Sequence, residues 1–366
     1  MTKKILFSGY YGFDNSGDDA ILQAIIQELR KEEPDLSINI LSYNPSRTKN
    51  IYDVSATQRF HFSSVREAVK ECDILISGGG SLLQDVTSSR SLFYYLSIIA
   101  LAKLYRKKVY VYANGVGPIN GKINQKLTSF ILNRVDQITL RDWDSMEVVK
   151  KIGVKKPPIE VTSDPVYALD SVDQETILKI LKREGIQPNK QYLGVCLRQW
   201  KKSPNLGEQM AKVLDRVYEE LGVEILFIPL HYPEDVEFSE LIQGKMRHRN
   251  YTHVIRRNYG TKEIKGIIGR CHVILAMRLH SLIYAVTENV PAVGLVYDPK
   301  VESHLKQLEI DAYESVENLD TDKLLKDILE TYRDKALLRN RIRRKHEEFI
   351  ALTRRNVEYV FKLLEK

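Results

Sequence analysis

The chain has 366 residues, 43% of them hydrophobic, and a formal net charge of +7; that is long for one compact core and ordinary for a globular protein with two. The three cysteines, Cys72, Cys196 and Cys271, are scattered without a CxxC or a Cys/His cluster, so neither a disulfide framework nor a zinc site is supported and no metal is expected. The apolar run near the amino terminus is too short for a signal peptide and the run over 92–102 is too short for a bilayer span, which points to a cytoplasmic protein.

The first half alternates strand and helix. Strands are expected over 5–9, 37–41, 73–77, 109–113, 137–141 and 159–163, with helices over 18–30, 63–71, 92–104 and 122–134 and another from residue 144. In the first helix Ile21, Leu22, Ile25, Ile26 and Leu29 recur on one face. Mostly apolar strands separated by helices argue for a parallel α/β sheet. Residues 169–173 read as a linker, after which the rhythm restarts with strands over 192–197, 224–228, 272–276 and 292–296 and helices near 206–221, 261–268, 279–288 and 301–308. A charged helical segment follows from about 321 to 366. The fold class is therefore α/β, two Rossmann-like domains facing a cleft. The expected domains are 1–170, 171–320 and a helical segment over 321–366 that packs back on the first.

Three glycine-bearing loops follow strands of the first half. In Gly9-Tyr10-Tyr11-Gly12-Phe13-Asp14-Asn15-Ser16-Gly17-Asp18-Asp19 the carboxylates crowd a helix start, either as capping charge or as groups that bind a ligand. Exposed aromatics at Tyr11 and Phe13 beside carboxylates suit sugar hydroxyls better than phosphate, and the spacing matches neither G-x-G-x-x-G nor a P-loop. Gly78-Gly79-Gly80 opens N–H groups to a ligand, and Asn114-Gly115-Val116-Gly117-Pro118 ends the next strand on the same side.

Four cations sit at strand ends: Arg141, Arg198, Arg278 and Lys300. Arg141 can also be read as an ion-pair partner of Asp142, and Arg278 as half of an Arg–carboxylate pair. In Ala276-Met277-Arg278-Leu279-His280-Ser281 a guanidinium and an imidazole stand between a buried strand and a helix N-terminus, a place suited to an anion. Four cations at one cleft call for a small, multiply charged substrate. A basic stretch, including Arg339, Arg341, Arg343, Arg344, Lys345, Arg354 and Arg355, could meet nucleic acid, an anionic leaflet or water. No nucleic-acid-binding signature accompanies it, so no nucleic-acid partner is expected.

Taken together, the stretch from Gly9 to Leu22, Ser77 to Leu82, Asn114 to Pro118, Leu140-Arg141-Asp142, Ser163-Asp164-Pro165, Leu197-Arg198, Arg278-Leu279-His280 and the loop from Tyr297 to Val301 resemble the polysaccharide pyruvyl transferase family, most nearly its CsaB type. Asp19 departs from the Glu more common there. The resemblance implies a GT-B-like fold that transfers the enolpyruvyl unit of phosphoenolpyruvate onto two sugar hydroxyls as a cyclic ketal, releasing phosphate. It implies no further cofactor. For the CsaB type the acceptor is a lipid-linked glycan ending in N-acetylmannosamine, modified at O4 and O6, and the polymer anchors S-layer proteins to the cell wall. The expected roles are as follows. Arg141, Arg278 and Lys300 hold the donor's carboxylate and phosphate with help from Arg198, and His280 binds phosphate or donates a proton. Asp14 or Asp18 accepts a hydroxyl proton, and Phe13, Asn15, Gly78, Gly79, Gly80 and Asn114 line the substrate. A peripheral contact with the anionic inner leaflet is expected of the basic C-terminal helix. The rival reading is a GT-B glycosyltransferase using a sugar nucleotide; a non-catalytic polymer-binding protein is a third.

Overall fold

The computed structural model describes residues 3–13, 15–86 and 88–365. It divides into two compact units, Met1–Leu169 together with Phe349–Lys366, and Asp170–Glu348.

In the first unit the order is β1 (Lys4–Ser8), α1 (Ser16–Glu32), β2 (Ser37–Ser42), α2 (Pro45–Tyr52), β3 (Ser55–Gln58), α3 (Phe62–Glu71), β4 (Ile74–Gly78), α4 (Ser89–Leu104), β5 (Lys108–Asn114), α5 (Lys122–Leu132), β6 (Gln137–Leu140), α6 (Trp143–Lys151) and β7 (Ile159–Val161). The strands form one parallel sheet ordered β3-β2-β1-β4-β5-β6-β7. The order reverses between β1 and β4, so their carboxyl ends flank the switch point at which doubly wound sheets bind ligands. Helices cover both faces, which is why β4 and β5 are apolar and buried almost throughout.

The second unit runs α7 (Gln174–Arg183), β8 (Tyr192–Cys196), α8 (Leu206–Leu221), β9 (Glu224–Phe227), α9 (Glu234–Lys245), β10 (Thr252–Val254), α10 (Thr261–Ile268), β11 (Val273–Ala276), α11 (Leu279–Thr287), β12 (Ala292–Val296), α12 (Pro299–Gln307), β13 (Tyr313–Ser315) and α13 (Thr321–Arg333). Its parallel sheet repeats the order of the first, β10-β9-β8-β11-β12-β13, with the switch between β8 and β11. Leu193, Val195, Ile225, Phe227, Val273, Leu275 and Val293 centre its core.

The last helix, α14 (Lys335–Leu364), starts in the second unit, and from Phe349 onward it belongs to the first. There, Ser163 Oγ donates to the Phe349 carbonyl at 2.7 Å, Thr162 Oγ1 to Asn356 Oδ1 at 2.9 Å, and Tyr167 stacks on Phe349. Its basic run is partly neutralised: Lys345 and Arg341 share Glu309 at 2.8 and 3.3 Å, and Arg355 pairs with Glu160 at 2.7 Å. Among the described residues no helix is long and apolar enough to cross a membrane. The greasy run over 92–102 lies in α4, where Leu92, Tyr95, Leu96, Ile98, Ile99 and Ala102 are buried. All three cysteines are free and buried.

Candidate active site

In the first unit the β1–α1 loop and the triple-glycine loop after β4 pack against each other. Asn15 caps α1, its side chain accepting from the N–H of Gly17 at 3.0 Å and of Asp18 at 3.5 Å. Gly79 and Gly80 have φ values of +63° and +72°, and a Cβ on them would lie 2.0 Å from Ile21 Cγ2 and 2.6 Å from Asp18 Oδ1. The glycines therefore let the loop close onto the first turns of α1, and the Asp18 carboxylate rests directly against it. Gly78 contributes its carbonyl, which accepts from the Tyr11 hydroxyl at 2.8 Å. Tyr11 is buried, 1% exposed, not surface-presented as its place in a polar turn suggested: its ring fills the space that a Cβ on Gly9 would occupy.

Asp18 is the electrostatically unusual group of this unit. Burial and the Asp19 carboxylate push it up to about 7, against the opposing pull of Arg141. Asp19 is engaged elsewhere, accepting from the Tyr52 hydroxyl at 3.1 Å. Asp14 lies outside the described residues.

Arg141 is nearly buried and held on three sides: Nη1 donates to Asp164 at 3.1 Å, Nη2 to Ser81 Oγ at 3.0 Å, and Nε lies 3.5 Å from Asp142. The expected partner Asp142 is thus the weaker one. Asp142 spends its other oxygen on the Ser145 N–H at 2.7 Å, capping α6. Asn114 is wholly buried, and its Nδ2 ties β5 to β4 through the Ser77 carbonyl at 2.8 Å.

Phe13 belongs to an aromatic ledge along the carboxyl ends of β1, β2 and β3. Tyr10 and Tyr43 stack on its two sides at centroid distances of 4.2 and 4.7 Å, and Tyr43 meets Phe60 edge-on. Tyr10, Tyr43 and Phe60 are exposed. Beneath them Arg59 is buried, its guanidinium 5.1 Å from the Phe13 ring and 4.4 Å from that of Tyr94, and Nη1 donates to the Gly9 carbonyl at 2.8 Å. No ion pair with a carboxylate is found for it among the described residues; the aromatic faces take the place of a counter-charge. Sequence reasoning missed Arg59, Tyr43 and Phe60. The signal was faint because β3, Ser-Ala-Thr-Gln, carries no apolar alternation.

In the second unit Arg198 follows β8 and Arg278 follows β11, so the two guanidiniums flank the switch point. Arg278 is bidentate on Asp235, with Nε to Oδ2 at 2.9 Å and Nη2 to Oδ1 at 2.7 Å. Asp235 is buried and also accepts from the N–H groups of Leu230 and His231 at 3.2 and 3.0 Å. Two of the four strand-end cations, Arg141 and Arg278, are therefore balanced by carboxylates, as the ion-pair reading of each allowed, with Asp164 and Asp235 as the principal partners. Arg198 is different. It lies against the Tyr297 and Trp200 rings at 5.4 and 5.8 Å, its Nε is buried without a hydrogen-bond partner, and no carboxylate pairs with it among the described residues.

Arg278 occupies the N-cap position of α11 without a side-chain capping bond, and His280 stands in the first turn, its ring 6.2 Å from that of Tyr284. Lys300 stands in the first turn of α12, where Asp298 caps the helix by accepting from the Lys300 N–H at 2.8 Å. Both helix starts direct positive dipole ends toward the side of the sheet that carries Arg198 and Arg278.

A family model described as polysaccharide pyruvyl transferase matches residues 15–299. The amylovoran biosynthesis protein AmsJ of Erwinia amylovora is 23% identical over 367 aligned residues, covering 83% of this chain and 86% of that protein. Among solved structures, S. aureus MnaA with UDP is similar at a TM-score of 0.67 and 12% identity over 100% of this chain and 98% of that one. HepE of Anabaena with UDP and glucose is similar at 0.63 and 11%, over 98% and 100%. At such identities the structural likeness shows the fold, which is GT-B. The match of the family model over most of the sequence shows more: the chain belongs to the polysaccharide pyruvyl transferase family.

Proposed function

We propose that the enzyme moves the enolpyruvyl unit of phosphoenolpyruvate onto two hydroxyls of one sugar of a lipid-linked glycan precursor, as the CsaB type does with terminal N-acetylmannosamine. AmsJ, named for amylovoran biosynthesis, supports a glycan acceptor. The observation that carries the donor assignment is the grouping of Arg198, Arg278 and His280 at one switch point, with the α11 and α12 helix starts on the same side. A carboxylate and a phosphate on one small molecule match a cation without a carboxylate partner, a guanidinium fixed by Asp235 and an imidazole at a helix start.

In this reading the donor's C3 gains a proton, for which His280 is the candidate acid, and C2 becomes electrophilic. A sugar hydroxyl adds to C2 while Asp18, poised near 7, takes its proton. Phosphate then leaves with the C2–O bond electrons, stabilised by the cations, and the second hydroxyl closes the ketal as its proton passes to the departing phosphate. The aromatic ledge beside Phe13 supports a sugar-binding role for the first unit. A peripheral contact with an anionic leaflet would rest on Arg343, Arg344 and Arg354, which stay exposed.

Donor binding tests the assignment against the sugar-nucleotide reading. A ligand at 100 times its dissociation constant stabilises by about 2.7 kcal/mol. Phosphoenolpyruvate should raise the melting temperature and UDP-sugars should not; the reverse result would replace the pyruvyl donor by a nucleotide.

A further inference from the structure

The opposite edge of the second sheet, where β8 and β11 begin, carries a cavity of about 370 Å³ lined by Lys190, Arg270, His272 and Arg339 together with the backbone of the turns before the two strands. Arg339, from α14, has no carboxylate partner among the described residues, and its Nε is buried without a hydrogen bond. Among the described residues Arg270 donates only to neutral acceptors, Gln174 Oε1 at 3.3 Å and the Pro188 carbonyl at 3.0 Å. Lys335, one turn before Arg339, lies over the Tyr332 ring at 3.6 Å. Lys190 is paired with Glu224, which His253 shares.

His272 stands among these groups. Its Nδ1 is buried and unpartnered; burial first, and then the cationic Lys335, Arg339 and Arg270, hold its pKa below the usual imidazole value. Elsewhere this chain supplies a carboxylate to its nearly buried Arg141 and its half-buried Arg278. Here three cations converge on a half-buried imidazole, and among the described residues none of them has a carboxylate partner. Such a cluster is unfavourable unless an anion offsets it.

We propose that this cavity is a second anion site, taking a small phosphorylated molecule with two or more negative charges, which Arg270, His272 and Arg339 hold. Its volume exceeds what one phosphate fills, so a diphosphate or a phosphate on a small organic body fits it better. The strands separate it by their length, about 15 Å, from Arg198 and Arg278 at the other edge. It is independent of the transfer chemistry.

Inorganic pyrophosphate added to the full chain, followed through the histidine ring signals in NMR, tests the site. His272→Asn identifies the His272 signal, and the His280 signal reports the active-site edge separately. The His272 signal should shift saturably. Arg339→Gln combined with Arg270→Gln should weaken that response about tenfold or more while leaving the melting temperature and the His280 response in place. Arg339→Gln alone, on a helix surface, should weaken it in the same direction if the double variant fails to fold. No shift of His272 at millimolar pyrophosphate, a shift that the variants leave unchanged, or an equal shift from sodium chloride at matched ionic strength would each overturn the site.

Discussion

Arg278 and Asp235 meet fork to fork, with Nε and Nη2 of the guanidinium on the two oxygens of one buried carboxylate at 2.9 and 2.7 Å. Asp235 is itself fixed by the Leu230 and His231 N–H groups, so the strand-end loop sets the plane of the Arg278 guanidinium. Arg278→Lys keeps the charge and loses the fork, and should raise the donor KM by about tenfold or more. Asp235→Asn should do the same and cost about 3 kcal/mol of stability, since it leaves a guanidinium without its counter-charge. Donor titration and urea unfolding on the same samples read both effects.

In the proposed transfer Asp18 carries the pH dependence. As the base it must be ionised, so kcat/KM should fall on the acid side with an apparent pKa near 7. Asp18→Asn should lose at least about a hundredfold in rate and lack that limb. Between the ordinary carboxyl range and about 7 the folded chain binds a proton that the unfolded chain has released, so stability declines as pH rises through 7. Asp18→Asn should remove about 1–2 kcal/mol of that decline, discounting for the group's partial exposure. Unfolding at pH 5 and pH 8 checks it; an equal decline in the variant would contradict the assignment.

The close approach of the triple-glycine loop to α1 predicts a contrast between two alanine substitutions. Gly79 and Gly153 both have positive φ, +63° and +85°, but a Cβ would lie 2.0 Å from Ile21 at the first and no nearer than 3.6 Å from Ser129 at the second. Gly153→Ala should cost about 1 kcal/mol for the backbone alone. Gly79→Ala adds a core clash and should cost about 3 kcal/mol. Thermal unfolding of the pair separates clash from backbone strain.

The aromatic ledge predicts a split between substrates. Tyr43 is exposed and stacks on Phe13, so Tyr43→Ala should cost only about 1 kcal/mol of stability. It should raise the acceptor KM several-fold and leave the donor KM unchanged; a change in the donor KM alone would remove the ledge from acceptor binding.

Much of the fold was legible because its strands are apolar runs and its helices have one greasy face: all five positions named on the first helix are buried in α1. Elements without that signature were missed. β3 is polar, β10 and β13 have three residues each, and α2, α7 and α9 lie in charged stretches. At the candidate site the loops and the cations could be read, because strand ends can be counted along the chain. Their partners could not. Asp164 reaches Arg141 across 23 residues and Asp235 reaches Arg278 across 43, separations that no local pattern encodes. Tyr11 shows the same limit: a tyrosine in a Gly-rich turn reads as exposed until the space over Gly9 is known.

The proposed pyruvyl transfer is tested most directly by phosphate release from phosphoenolpyruvate with and without a lipid-linked glycan ending in N-acetylmannosamine. The predicted result is acceptor-dependent release, with one pyruvyl ketal gained on the glycan by mass spectrometry for each phosphate set free. Binding of phosphoenolpyruvate and acceptor without release, or release that ignores the acceptor, would contradict it.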